Sequence, residues 1–338
     1  MSENLRKKLT FMAKYSYVFI LTLIFLIMSI ATDRFLTVDN LLNVARQSSM
    51  LLIMALGMTM AMLLGRGVDM SMGAIVSISS CFAAGFFLQS HNWVSILLGV
   101  LVGIAIGALA GVVNGMLISF LHLPAMLVTY GVREILRGVA YAYMNGGVIT
   151  SIHPAIRFIG SGRILGVIPT QIVIALLFTV LAAFLLKCTR MGRELYITGA
   201  NPAAALFSGI KVEKNIIIGF VCSGIMAAVA GIIYVGRLGA AEAEIGADFH
   251  FQAVSAAAIG GISFNGGVGN PWGVIAGALI LTLLNNADTR LRHISSLSSR
   301  TPLVKLRANM RQGYTENDGK YRFLSRFCSS VPSPHSSW

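Results

Sequence analysis

Nine apolar runs punctuate this chain, near residues 16–31, 47–64, 73–88, 94–121, 124–144, 168–187, 215–235, 251–262 and 271–286. Most approach the ~20 residues that an α-helix needs to cross a hydrocarbon core about 30 Å thick. Inside a bilayer every backbone N–H and C=O must find its partner within the protein, so only helices or a closed barrel can span it. The runs show no sustained apolar–polar alternation, and no soluble domain separates them. The chain therefore reads as an all-α, polytopic membrane helix bundle. Its charged residues make up 12% of the sequence, about half the ~25% of a soluble domain.

Loop charges orient the bundle. Arg6, Lys7, Lys8 and Lys14 precede the first run, which passes straight into "TDRFLTVDN" without a small-residue cleavage site. The expectation is an uncleaved first span, with residues 1–15 in the cytoplasm. Six crossings return the chain to that side after Lys187. The loop 188–214 that follows carries Arg190, Arg193, Lys211 and Lys214 against Glu194 and Glu213, as the excess of cytoplasmic Lys and Arg requires. The stretch 145–167 then lies on the opposite side. The run 251–262 is short, ends in Gly260–Gly261–Ile262 and is followed by Gly266–Gly267; it could cross or dip back. The net charge of +13 does not mark a nucleic-acid binder. Residues after Asn286 hold nine Lys/Arg and three Asp/Glu, leaving 17 and 10 in the body, mostly in short loops. Cys81, Cys188, Cys222 and Cys328 have no metal or redox spacing and read as apolar fillers.

Three segments carry candidate chemistry. "GMTMAMLLGRGVDMSMGAI" sets Arg66 and Asp69 between two apolar runs. It is either a short cytoplasmic turn or a broken helix in which Gly65, Gly67, Gly73 and Asp69 shape a pathway. "LPAMLVTYGVREILRGVAYAYMNGG" sets Arg133, Glu134 and Arg137 inside an apolar run. Arg133 and Arg137 share a helix face, and in a bundle they must be paired, with Glu134 or with Asp69, or face a cavity. In the basic loop, "NPAAALFSGI" reads as a short helix with Asn201 as N-cap and Pro202 at its first position, ending near Gly209. Such a helix suits docking onto another protein.

These segments resemble those of permease subunits of bacterial ABC importers for monosaccharides, of the ribose, galactoside, xylose and arabinose type, which include autoinducer-2 permeases. The family reads approximately "GR-x-IYA-x-GGNP-x-AA-x-x-SGI-x-V" in this loop. The matching positions here are Gly192, Arg193, Tyr196, Gly199, Asn201, Pro202, Ala204, Ala205, Ser208, Gly209, Ile210 and Val212. "GRGVDMSMG" is similar to its "GGIDLSVG", and "AAAIGGISFNGGVGN" to its "AAVVIGGTS-x-x-GG-x-G". The likeness covers about residues 15–286 in order. Where relatives read "YELDAIAA", this chain has "FHFQAVSA", with His250 and Gln252 in place of acids.

The resemblance implies a multi-pass protein of the bacterial inner membrane that is not itself an enzyme. It implies a dimer of permease chains, a cytoplasmic ABC ATPase docked on the 188–214 coupling loop, and a periplasmic solute-binding protein delivering a sugar-like solute. The chain has no G-x-x-x-x-G-K-[ST] phosphate loop, so ATP and magnesium belong to the ATPase, and no metal is expected. Candidates along the solute's path are Thr59, Asp69, Asn114, Thr129, Arg133 and Arg137. The three neutral ones could equally hold helices together.

After Asn286 the apolar pattern stops. Relatives continue with a further apolar helix, whereas residues 287–338 are rich in Ser and Arg and have no apolar run long enough to cross. A basic tail can lie on anionic lipid. A reading-frame change near codon 287, leaving a truncated and non-functional remnant, is the reading favoured here, because the tail interrupts the bundle instead of following it.

Overall fold

The computed structural model describes residues 16–31, 35–88, 92–150 and 152–298. Of these, residues 16–285 belong to one compact unit and 286–298 to a second. Residues 1–15 and the tail beyond Ser298 lie outside the described residues. The helices are α1 (Ser16–Ala31), α2 (Val38–Met62), α3 (Met72–Phe86), α4 (Trp93–Phe120), α5 (Ala125–Met144), α6 (Pro154–Ser161), α7 (Thr170–Cys188), α8 (Arg190–Ala200), α9 (Pro202–Phe207), α10 (Val212–Leu238), α11 (Phe249–Ile259) and α12 (Pro271–Ser298). One small hairpin pairs β1 (Arg163–Ile164) with β2 (Ile168–Pro169). Every apolar run of the sequence is a helix, and α6, α8 and α9 lie in the connections between them. By length and apolarity, α2, α4, α7 and α10 suffice to cross a membrane.

The bundle has two ends, fixed by where successive helices stop. At one end α2 closes against the segment after α11, with the Gly267 N–H donating to the Leu63 carbonyl at 2.9 Å. On α10, Asn215 there donates to Thr198 of α8 at 3.0 Å. At the other end the His153 N–H meets the Phe87 carbonyl at 2.6 Å, and Ile149 pairs with Ala241. The stretch 188–214 and the stretch 145–167 therefore sit at opposite ends.

The two shortest helices of the apolar runs, α3 and α11, cannot run from end to end. α3 has 15 residues and α11 has 11, about 22 and 16 Å against the roughly 30 Å of a hydrocarbon core. Each is completed by irregular chain, 63–71 before α3 and 240–248 before α11. Their N-terminal ends meet inside the bundle. There the Gly246 N–H donates to the Ser77 hydroxyl at 3.0 Å, and the backbones of Gly73 and Gly246 lie so close that a Cβ on either would strike the other's carbonyl. The segment 240–267 thus passes from one end of the bundle to the other, which resolves the choice left open for 251–262.

Around these half-helices, α10 is the central element and packs against α4, α2, α3 and α6. α4 carries a glycine at every fourth position, Gly99, Gly103, Gly107, Gly111 and Gly115, all buried along one face; Gly99 meets the end of α3, and the contact with α10 follows the other four. Residues four apart stack on one side of a helix. Here the stripe lets the two backbones touch: a Cβ on Gly111 would lie 2.6 Å from the Val221 Cα, and one on Gly115 2.5 Å from the Ile217 Cα. The sequence reading missed this stripe, although its period of four is visible in the bare sequence. α2 is buried on all sides from Ser48 to Met62, as an element apolar all round must be.

α12 does not stop at Asn286 but runs on to Ser298. Ala287, Leu291 and Ile294 continue a three-to-four spacing that the charges around them had masked.

The glycine contact makes a testable demand. Gly111→Leu forces overpacking of the kind that costs about 1–3 kcal/mol and should lower the yield of monodisperse protein extracted from membranes severalfold. Gly138→Ala, where nothing lies within 4 Å, should leave it unchanged. Equal size-exclusion profiles for Gly111→Leu and wild type would refute the close contact.

Candidate functional site

Asp69 is fully buried. The chain leaves α2 through Gly65 and Gly67, both at positive φ, and so turns back into the bundle before α3 begins. Arg66 stays exposed at the bundle's end, and the two charges of this motif part company. Among the described residues no basic side chain pairs with Asp69. Its carboxylate is held by hydroxyl and amide donors instead. Oδ1 accepts from the Ser71 N–H at 3.0 Å and the Ser71 hydroxyl at 2.6 Å, and Oδ2 accepts from the Ser223 hydroxyl at 2.7 Å. Asn114 Nδ2 donates to Ser71 Oγ at 2.7 Å. Hydrogen bonds to a carboxylate are about twice as strong as neutral ones, and the α3 N-terminus adds its positive dipole end.

Thr129 on α5 ties in the same turn. Its oxygen accepts from the Met70 N–H at 3.1 Å, and its hydroxyl donates to the Ala125 carbonyl at 2.8 Å. Asp69, Asn114 and Thr129, predicted separately, therefore form one buried cluster joining the α3 entry to α4, α5 and α10. Thr59 does not belong to it; its hydroxyl returns to the Ala55 carbonyl of its own helix at 2.7 Å. Ser71 and Ser223 were missed. Ser71 stands two residues after Asp69, the spacing of a local Asp-to-backbone turn, whereas Ser223 gave no signal beyond being a hydroxyl in an apolar helix.

Arg133 and Arg137 form a second constellation. Both lie 3.7 Å from Glu134, and Arg137 also pairs with Glu244, 107 residues away in the irregular entry to α11. Arg133 donates to the Ala247 carbonyl at 3.5 Å. Their guanidinium groups stand 5.5 Å from the Tyr130 ring and 5.8 Å from the Tyr141 ring respectively. Of the two partners the sequence allowed, Glu134 is present and Asp69 is not. With Ala74, Ser77, Ala243 and Ala247 the two arginines and Glu244 line a small cleft beside the α3 start. The Glu134, Arg137 and Glu244 side chains remain 42–44% exposed, although Glu134 and Arg137 lie in the middle turns of a 20-residue helix.

His250, one of the two departures from the sequence pattern, is fully buried at the α11 N-terminus. Neither of its ring nitrogens reaches hydrogen-bonding geometry, although the Ala247 backbone lies near.

The stretch 188–214 holds two helices, α8 and α9. Thr189 caps α8, accepting from the Gly192 N–H at 3.2 Å, a helix that the expectation of a loop over this stretch does not include. Asn201 caps α9 by accepting from the Ala204 N–H at 3.0 Å, with Pro202 in first position, as read from the sequence. The Ser208 hydroxyl donates to the Ala204 carbonyl at 2.9 Å, Gly209 turns at φ +75°, and the Ile210 N–H closes on the Ala205 carbonyl at 3.0 Å. Gly192 is buried on the end of α7 and Gly199 on Leu63 and Gly267. Ala205 is buried too, and Tyr196 donates to the Gly269 carbonyl at 2.8 Å; partial burial pushes its phenol pKa up. Arg193, Ala204, Leu206 and Phe207 face outward, and Phe207 is 92% exposed.

Comparison with known proteins places this geometry. A family model described as the branched-chain amino acid transport system / permease component matches residues 40–298. The chain is 35% identical to the ribose import permease protein of Haemophilus influenzae, over 80% of its own length and 84% of the relative's. It is 32% identical to the D-allose transport system permease protein of Escherichia coli K12, over 82% and 84%. Against the galactose/methyl galactoside import permease protein of Salmonella typhimurium the figures are 30%, 84% and 89%. No solved structure matches.

The buried cluster sets an order of variants. Asp69→Ala strands the Ser71 and Ser223 donors, each at about 1–3 kcal/mol, and should sharply reduce detergent-stable protein. Asp69→Asn, which keeps one acceptor oxygen, should fall between Ala and wild type in the same melting experiment. Wild-type melting of Asp69→Ala would refute a structural role for the cluster.

Proposed function

The chain belongs to the permease-component family that includes the ribose, allose and galactoside import permeases, and on that footing we propose that it is the membrane subunit of an ATP-driven importer that passes a monosaccharide. The observation that carries this reading is the exposed strip Glu134–Arg137–Glu244. A charged side chain facing lipid at mid-helix costs at least about 2.5–3.5 kcal/mol, so the strip faces water or protein. A hydrated, hydrogen-bonding surface inside a membrane is what a polyhydroxylated solute requires, and Tyr130 and Tyr141 beside it offer the hydroxyls and ring faces that sugars use. The strip lies toward a second permease chain, so that the path runs between two subunits. Asp69, Asn114 and Thr129 shape the turn behind the path, and Thr59 holds no solute.

The end bearing α8 and α9 is cytoplasmic, as is the N-terminus, and receives the ATPase, with Phe207 and Leu206 as the apolar contacts. The opposite end receives the solute-binding protein. ATP and magnesium stay on the ATPase.

Reconstitution with a matching ATPase and binding protein tests this. Uptake of a labelled ribose, allose or galactoside should require ATP, and Phe207→Asp should reduce it at least tenfold without changing membrane abundance. Uptake that proceeds equally without the ATPase would overturn the proposal. A chain that accumulates stably but never transports would favour the non-functional remnant that the sequence of residues 287–338 allows.

Sidedness has its own test. In a background without native cysteines, an impermeant thiol reagent on intact cells should label Ser161→Cys and spare Ser208→Cys. The reverse pattern would invert the orientation.

A further inference from the structure

At the end of the bundle that carries α8, a cavity of about 410 Å³ opens between α8, the 209–211 turn and the start of α10, well within the ~300–1,000 Å³ of small-molecule sites. Its polar wall holds Arg190, Lys211 and Lys214 against the single carboxylate of Glu194. Glu194 is committed to Arg190 at 2.7 Å, and among the described residues neither lysine has an ion-pair partner. Ile210 and Ile218 form the apolar side. One wall is thus cationic and the other greasy.

Depth decides what fits such a cavity. α10 has 27 residues, about 40 Å, and overshoots a 30 Å hydrocarbon core by roughly three residues at each end. With the helix midpoint in the middle of the membrane, Lys211 and Lys214 stand at headgroup level and Ile218 just inside the hydrocarbon. We infer that this cavity seats the phosphodiester headgroup of an anionic lipid, with the two lysines on the phosphate and an acyl chain along Ile218. Basic pockets between helices at the membrane surface have this chemistry. The inference rests on the membrane placement in the proposed function, but its readout needs no transport.

The experiment uses the full chain in vesicles of phosphatidylcholine and phosphatidylglycerol, purified in mild detergent, with the co-purified lipid weighed by native mass spectrometry. Wild type should retain phosphatidylglycerol in preference to phosphatidylcholine. Lys211→Gln/Lys214→Gln should weaken that preference by about twenty-five-fold, each cation contributing about fivefold. Lys187→Gln, an exposed cation of the same end that does not line the cavity, should keep the preference, as should the charge-conserving Lys211→Arg/Lys214→Arg. Absence of any preference in wild type overturns the inference whatever the variants do. So does full retention of the preference in the Gln variant. Inorganic phosphate that displaces the lipid at equal affinity would make this a soluble-anion site, and loss of ATPase binding with lipid retention intact would make it a protein contact. Either result also overturns it.

Discussion

Everything in this bundle hangs on two backbones approaching within touching distance, along α4 and α10. In lipid, apolar surfaces gain little by hiding from one another, so helices associate through close packing and interhelical hydrogen bonds. The stripe Gly103–Gly107–Gly111–Gly115 allows that closeness. α10 then presents its other faces to α2, α3 and α6, and Ser223 on it reaches Asp69. Remove the contact and the acceptor of the buried cluster loses a donor as well.

The two polar constellations obey one rule with opposite outcomes. Asp69 is sealed away and satisfied by two hydroxyls, an amide and a helix end. The α5 strip is paired yet left open. A membrane protein tolerates ionisable groups where they are enclosed or where water or protein covers them. The sealed cluster ties the α3 entry to α4, α5 and α10, and the open strip keeps its paired charges at the surface.

Much of this was legible beforehand, and the reasons for the rest are physical. Helix positions followed from apolar runs, because backbone satisfaction in lipid leaves few alternatives. The Asn201 cap and α9 followed from local chemistry confined to a few residues. α8 was missed because its amphipathic pattern is short and interrupted by two glycines. The distant partners of Arg137 and Asp69 could not be read at all: Glu244 and Ser223 lie 107 and 154 residues away, and only the fold brings them near. The early start of α2 at Val38 was hidden by Asp39, Asn40, Asn43 and Arg46, which are polar but helix-compatible.

The meeting of Gly73 with Gly246 carries a consequence for how such a protein can change over generations. Crowding between side chains is usually relieved by trimming the neighbour, so paired changes leave a statistical trace. Here each residue presses on the other's main chain, and a main chain cannot be trimmed. A methyl gained at either position has no second-site remedy at the other. The two glycines should therefore stay fixed together while showing no correlated variation, a contact at the heart of the bundle that covariation between sequences would pass over.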